Sequence, residues 1–192
     1  MNAFPPKALA MAHSLLERVL RPGDVAVDAT AGNGHDTVFL ARAVGAAGRV
    51  IALDIDPAAV ASTRDRCAGA AAACEVIEAD HAGLDGVLEN CRVRRFSVAV
   101  VVFNLGYLPG SDKTRPTRPE STVAALVQAL GWLRPGGLVT IVCYTGHPGG
   151  PEEAAAVEAR ASALPQDQFA VARYQFLNQR HHPPHLVVVG RV

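Results

Sequence analysis

Only two lysines, Lys7 and Lys113, occur among the 18 basic residues of this 192-residue chain; the rest are arginines, a bias of the kind that genome composition produces. Eighteen acidic residues balance them, and the formal net charge is +0. No global basic field is therefore available to hold nucleic acid, and any RNA contact has to come from a local patch. The four cysteines, Cys67, Cys74, Cys91 and Cys143, form no Cys-x-x-Cys pair. That removes the usual zinc and redox motifs and leaves reduced thiols in a cytoplasmic protein as the expectation. Cys143 ends an apolar run and is expected to be buried. The chain has no leader-like start and no apolar run of about 18 residues, so neither secretion nor a membrane span is expected. It also lacks an internal repeat and any composition break, which predicts one domain over residues 1–192, long enough for a good core.

One stretch organises the rest. Val25 to Asp28 is a short apolar run closed by a carboxylate, as a buried parallel strand is. Gly32 and Gly34 follow, and then a helix-compatible segment over Thr37 to Val44. Strand, glycine loop and helix begin a nucleotide-binding α/β unit, whose ligand sits at the carboxyl end of the strand. The third glycine of the dinucleotide fingerprint is missing, because Thr37 stands in its place. Asp28 and Asp36 flank the loop, and two carboxylates repel a pyrophosphate, which wants bare backbone N–H groups and a helix N-terminus. They suit a cation. S-adenosylmethionine carries a sulfonium and an ammonium on a nucleoside, so the loop residues Asp28, Thr30, Gly32, Asn33, Gly34, Asp36 and Thr37 read as its site. The plainer alternative is a glycine turn with Asp36 as a helix-start charge.

The remaining segments alternate. A leading helix over Ala8 to Leu20 stops at Arg21-Pro22-Gly23. A second strand over Arg49 to Leu53 ends at Asp54, 26 residues after Asp28, about where the ribose-binding acid of a βαβ unit belongs. Asp56 stands beside it, and Pro57 opens a helix running to about Ala70. Cys74 to Ala79 is a third strand, with Asp80 and His81 placed to meet an adenine; for His81 a plain surface position is the competing reading. After a short helix over Leu84 to Asn90, the apolar run Ser97 to Phe103 predicts a central strand. It ends in Asn104-Leu105-Gly106-Tyr107, polar and aromatic residues between glycines at a strand tip, the usual setting of a reaction centre. A proline-rich loop with Lys113, Arg115 and Arg118 leads to a helix over Glu120 to Leu133. A fifth strand over Leu138 to Tyr144 and a second glycine-rich tip loop with His147 follow. A helix over Glu152 to Leu164 and two strands, Phe169 to Phe176 and Leu186 to Val189, complete the chain. The count predicts an α/β fold, a Rossmann-like doubly wound sheet of seven strands with the last antiparallel. His181, His182 and His185 match no strong ligand spacing, and no metal is expected.

Taken together, the blocks at 28–37 and 104–110, Asp112-Lys113, the block at 144–150, Asn178-Gln179 and Pro183-Pro184 resemble one family, the putative rRNA methylase family of class I methyltransferases. The resemblance runs from Asp28 to the C-terminus. It implies a tRNA wobble-uridine enzyme, an N-methyltransferase acting on 5-aminomethyl-2-thiouridine in the anticodon region, and it hints at a homodimer. Ser111 and Asp56 depart from the family's usual glycine and glutamine, and Asp56 adds a charge near the ribose.

For such chemistry the enzyme chiefly positions its reactants and excludes water. Asn104 is expected to accept from the amine and aim its lone pair, with the Leu105 carbonyl as the alternative acceptor, and an aspartate at 104 is expected to keep more activity than alanine. Tyr107 is expected to stack on the base, His147 to relay a proton or bind phosphate, and Lys113, Arg115, Arg118 and Asn178 to contact RNA. His147 as a turn cap and residues 113–118 as a solvated loop are the competing readings. Methylation of rRNA or of a small amine, or binding without turnover, are the competing functions.

Overall fold

The computed structural model describes residues 4–106 and 117–192. Seven strands form one sheet in the order β3-β2-β1-β4-β5-β7-β6. They are β1 (Val25–Asp28), β2 (Arg49–Asp54), β3 (Ala73–Glu78), β4 (Val98–Leu105), β5 (Leu133–Cys143), β6 (Phe169–Tyr174) and β7 (His185–Arg191). The first five run parallel, and β7 runs antiparallel to both β5 and β6, between which it lies. Among the described residues six α-helices accompany them: α1 (Ala8–Val19), α2 (His35–Val44), α3 (Pro57–Cys67), α4 (Leu84–Asn90), α5 (Pro119–Trp132) and α6 (Gly150–Ser162).

The central strands are apolar throughout because both faces are covered, as parallel sheets require. Their period of two divides the core. Val27, Val101 and Phe103 pack in one layer with Leu84 and Leu88 of α4, Leu126 of α5 and Val157 of α6. Ala26, Val100 and Val102 face the other way, against Leu16 of α1 and Leu40 and Val44 of α2. Val60 of α3 packs on Ala52 and Val76 on that side. Proline stands at the start of α3 and α5, where its missing N–H costs nothing, and the Asp56 carboxylate caps α3 by accepting from Ala58 N at 2.9 Å.

The expected architecture holds, with three differences of detail. The Arg134-Pro135-Gly136-Gly137 breaker ends α5 but does not delay the fifth strand. Leu133 already pairs with Val98 and Leu138 with Val100, so the four residues bulge out of a continuous β5. Gly137 is needed there, since a Cβ would sit 2.8 Å from the Arg134 carbonyl oxygen. The helix after β1 begins at His35, and β4 runs on through Asn104 to Leu105. All four cysteines are free thiols, and burial pushes the Cys143 thiol up to about 12. Among the described residues, no helix is long and apolar enough to cross a membrane.

Candidate active site

Strand order reverses between β1 and β4, and ligands of such sheets bind at the carboxyl ends beside that reversal. A cleft of about 1510 Å³ opens there. One end is walled by Thr30, Gly32 and Asn33 after β1, Asp54 and Asp56 at the end of β2, and Asp80 and His81 after β3. The other end is walled by Asn104 and Gly106 at the end of β4, Tyr144 and His147 after β5, and Thr117 and Arg118 before α5. His182 and Pro184 from the β6–β7 connection close it. Its volume exceeds the roughly 300–1,000 Å³ of one small-molecule pocket, leaving room for two ligands end to end.

The glycine loop is built against α3. Thr63 Oγ1 donates to the Gly32 carbonyl at 2.9 Å and Arg66 Nε to the Asn33 carbonyl at 2.7 Å. Gly34 caps α2 with φ of +78°, and a Cβ there would lie 2.9 Å from Thr63 Oγ1 and 3.0 Å from its Cα. Asp54 ties the loop to β2: Oδ2 accepts from Gly32 N at 2.8 Å and Oδ1 from Asp56 N at 2.9 Å. A carboxylate offers about four lone-pair directions, so both oxygens keep capacity for a ligand's hydroxyls.

Asp28 and Thr37 do not face the cleft. Both are fully buried beneath the loop, where Thr37 Oγ1 donates to Asp28 Oδ2 at 2.6 Å and Thr30 N to Oδ1 at 3.3 Å. β1 points its last side chain into the helix layer, not outward, so these two hold the loop's shape. Burial raises the Asp28 carboxyl from 3.8 to about 7; the nearby Asp36 charge adds to this, and the Thr37 hydroxyl opposes it.

Asp36, in the first turn of α2, does line the cleft. Its Oδ1 lies 2.6 Å from His13 Nε2 of α1, and its Oδ2 accepts a hydrogen bond from the Asn104 side-chain amide. A carboxylate can only accept, so this contact fixes the amide: NH₂ toward Asp36, Oδ1 elsewhere. Asn104 Oδ1 is buried and has no hydrogen-bond partner among the described residues, while the Asn104 backbone N–H donates to Thr30 Oγ1 at 2.7 Å. Tyr144 sits close enough for the Asp36 charge to add to the effect of burial, and both push its phenol above the ordinary range, keeping it a donor.

A second network braces the far wall. Thr117 Oγ1 donates to Glu153 Oε2 at 2.7 Å and accepts from Gly106 N at 3.0 Å, and Thr122 Oγ1 donates to Glu153 Oε1 at 2.6 Å. Thr117 N also donates to the Gly106 carbonyl, so residues 106 and 117 are held side by side. His81 is 6% exposed, edge-on to Phe103 and 3.4 Å from Thr122 Oγ1, which excludes the surface position. Its burial lowers its pKa and keeps it neutral.

The other expected site residues separate by position. Gly34 is buried behind the loop, and Asp80 caps the short turn His81–Gly83 by accepting from Ala82 N at 2.8 Å. The His147 ring lies against Gly106, its Nδ1 donating to the Pro148 carbonyl at 3.0 Å, and its own carbonyl closes a turn by accepting from Gly150 N. Asn178 is exposed on the β6–β7 connection and lines no part of the cleft. Tyr107, Lys113 and Arg115 lie outside the described residues. His13, Glu153 and His182 were not singled out by the sequence as site residues. His13 carries only the apolar spacing of α1 as a signal, and Glu153 reads as an ordinary helix-start charge.

Known proteins resemble this chain over most of its length. It is 39% identical over 184 residues to tRNA (mnm(5)s(2)U34)-methyltransferase, chloroplastic, of Arabidopsis thaliana, a match covering 90% of this chain and 65% of that protein. The crystal structure of a protein from Clostridium thermocellum described as a putative rRNA-methylase superposes with a TM-score of 0.92. It has 36% identity, and the match covers 99% of this chain and all of that one. A putative methyltransferase of Streptococcus mutans, solved in complex with SAH, gives a TM-score of 0.84 at 32% identity, over 97% of this chain and 98% of that one. The family model described as Putative rRNA methylase matches residues 50–190. On that match, and on a sheet whose order and antiparallel β7 are those of a class I S-adenosylmethionine-dependent methyltransferase, the chain belongs to the Putative rRNA methylase family.

Proposed function

We propose that this chain is an S-adenosylmethionine-dependent tRNA methyltransferase that N-methylates the 5-aminomethyl group of the wobble (2-thio)uridine in the anticodon region. The observation that carries it is Asn104: a buried side-chain oxygen without a partner among the described residues, at the tip of the central strand, on an amide whose other end is already held. Buried acceptors are normally paired, so one left open where two ligands meet suits a donor that a substrate brings. An amine is such a donor. The Arabidopsis relative's name supports the uridine.

The residues fit the cofactor. Asp36, Asp54, Asp56 and Asp80 all line the cleft, a set that favours a cation and disfavours a phosphate. In this reading Asp54 accepts from ribose hydroxyls, and Asp80 and His81 flank the adenine. Bound S-adenosylmethionine supplies an electrophilic methyl carbon on a sulfonium. The substrate amine resembles lysine, with a pKa of about 10, and attacks only when neutral. Asn104 Oδ1 accepts one N–H of that neutral amine, which turns the nitrogen lone pair toward the methyl carbon. As the N–C bond forms, the methyl group's bond to sulfur breaks, its electron pair staying with the departing neutral thioether (S-adenosylhomocysteine); positive charge grows on nitrogen, and the same acceptor stabilises it. The proton then passes to solvent. Arg118, at the start of α5, stands at the cleft rim, where RNA phosphates rather than the base would run. The resemblance extends that basic edge to Lys113 and Arg115, and base stacking to Tyr107. The homodimer and the cytoplasmic setting belong to the same proposal and are tested by light scattering and cell fractionation.

The test is nucleoside mass spectrometry of undermethylated tRNA after incubation with the protein and S-adenosylmethionine. A methyl group on the wobble aminomethyl nitrogen is expected. Methyl on an rRNA base, a ribose or a small amine replaces the substrate, and the family's description makes rRNA the control to run beside tRNA. Alanine at Lys113, Arg115 and Arg118 should flatten the salt dependence of tRNA binding by about 0.7–0.9 in log–log slope for each phosphate no longer neutralised. An unchanged slope removes that edge from the RNA-binding surface.

A further inference from the structure

α1 precedes the first strand and is no part of the nucleotide-binding unit, yet it reaches the reaction centre. His13 projects from it with its ring stacked on Phe39 of α2, centroids 4.0 Å apart and planes 6° from parallel. From that seat Nε2 meets Asp36 Oδ1 at 2.6 Å. The other Asp36 oxygen holds the Asn104 amide. Asp36 is 13% exposed, and no other hydrogen bond to its carboxylate is formed by the described side chains. The carboxylate thus spans α1 and the tip of β4, with one oxygen committed to each.

We propose that His13 and Asp36 are positioning residues for the methyl-transfer step: His13 locks the Asp36 carboxylate, and Asp36 both fixes the Asn104 amide and polarises it. This rests on the reading of Asn104 as the acceptor for the amine. The rotation of a free asparagine amide is a broad two-fold torsion, so an unheld Asn104 presents oxygen or NH₂ to its surroundings. NH₂ presented to an amine lone pair would tie up the electrons that must attack. Asp36 removes that outcome, because its carboxylate accepts only from the NH₂ end. It also places a negative charge behind the amide. Hydrogen bonds in series polarise one another, so an amide donating to a carboxylate carries a more negative oxygen and accepts more strongly from a nitrogen becoming cationic. His13 matters because a carboxylate held at one oxygen can swing and carry the amide with it. Misplacing a reactant by about 1 Å lowers the rate by as much as about 100-fold.

Two substitutions separate the hydrogen bond from the packing. His13→Phe keeps an aromatic ring for Phe39 and loses the donor; His13→Gln keeps a donor and loses the ring. The single-turnover methylation rate is expected to fall about 10- to 100-fold in His13→Phe and to recover most of the way in His13→Gln. tRNA and SAH affinities, measured by calorimetry, stay within about twofold, since His13 acts through Asp36 rather than on either ligand. In an Asn104→Ala background, His13→Phe is expected to add nothing further. Equal losses in both backgrounds, or a phenylalanine variant as fast as the glutamine one, overturn the proposal. A readout independent of turnover runs beside it. The Asn104 side-chain NH₂ resonances, identified by their absence in Asn104→Ala, should shift in His13→Phe and in Asp36→Asn. If wild-type protein methylates no RNA, the proposed function fails, and the orienting pair stands or falls on those resonances alone.

Discussion

Asp28→Asn should make the protein's stability less dependent on pH, with a definite sign. The Asp28 carboxyl titrates near 3.8 when unfolded and at about 7 in the fold, chiefly because it is fully buried. Below the lower value both states hold the proton, and burial carries no electrostatic penalty. As pH rises through that value, the unfolded chain releases its proton and the folded chain keeps it. Stability therefore falls with rising pH until the folded carboxyl also ionises, and above about 7 the loss is constant. Each unit of separation is worth about 1.4 kcal/mol, so about three units set a ceiling of about 4 kcal/mol. Asparagine keeps the side-chain oxygen that accepts from Thr37 and never ionises. The difference between variant and wild type in urea-denaturation free energy should accordingly grow by a few kcal/mol from pH 4 to pH 7 and then level off. Two profiles that stay parallel, within about 1 kcal/mol across that range, would refute the account of Asp28 as a buried, mostly desolvated acid.

Gly34→Ala forces a side chain into a left-handed position and against the Thr63 backbone, for a loss of about 2–5 kcal/mol and roughly 5–15 °C in Tm; a melting temperature within about 2 °C of wild type contradicts the close approach of α2 and α3. Asp54→Ala removes the proposed ribose acceptor and leaves Gly32 N and Asp56 N unpaired. Calorimetry should show SAH affinity lowered by at least about 100-fold, and unchanged binding removes Asp54 from the site. Glu153→Ala strands the Thr117 and Thr122 hydroxyls and should cost about 2–4 kcal/mol in urea unfolding, with Glu153→Gln nearer wild type; equal losses would mean the hydroxyls do not depend on an acceptor there.

What can be read in the sequence is local. The Val25 to Asp28 run, the two glycines and the Asp54 strand tip announce themselves within a few residues each, and of these Gly32 and Asp54 line the cleft while Asp28 and Gly34 are buried behind it. Strand faces buried on both sides leave continuous apolar runs, which is why β4 is legible. What cannot be read depends on partners far along the chain. Asp28 and Asp36 look alike as carboxylates beside a glycine loop, and only the packing of α2 on β1 buries the first and leaves the second at the cleft. His13 meets Asp36 across 23 positions, and Asn104 meets it across 68. That last contact also reverses one expectation. On its residue type alone, Asn104→Asp keeps an acceptor and should outperform alanine. In the structure it sets two carboxylates against each other at hydrogen-bond distance, and it should be the worse variant. β7 is antiparallel as expected, but its place between β5 and β6 follows from neither spacing nor propensity.

That place has a consequence for how the chain is made. A ribosome releases β6 before β7, yet β7 is the strand through which β6 joins the sheet. While residues 185–191 remain inside the exit tunnel, β5 has an open edge and β6 has no ladder to join. The five strands from β3 to β5 in the sheet order can pair as they emerge, since each neighbours one already made. Translation stalled just short of His185 should therefore give a nascent chain whose β6 segment is cut readily by protease while the preceding strands resist. Release of β7 would at once cover the open edge of β5 and give β6 its ladder, making that one strand the step that completes the sheet.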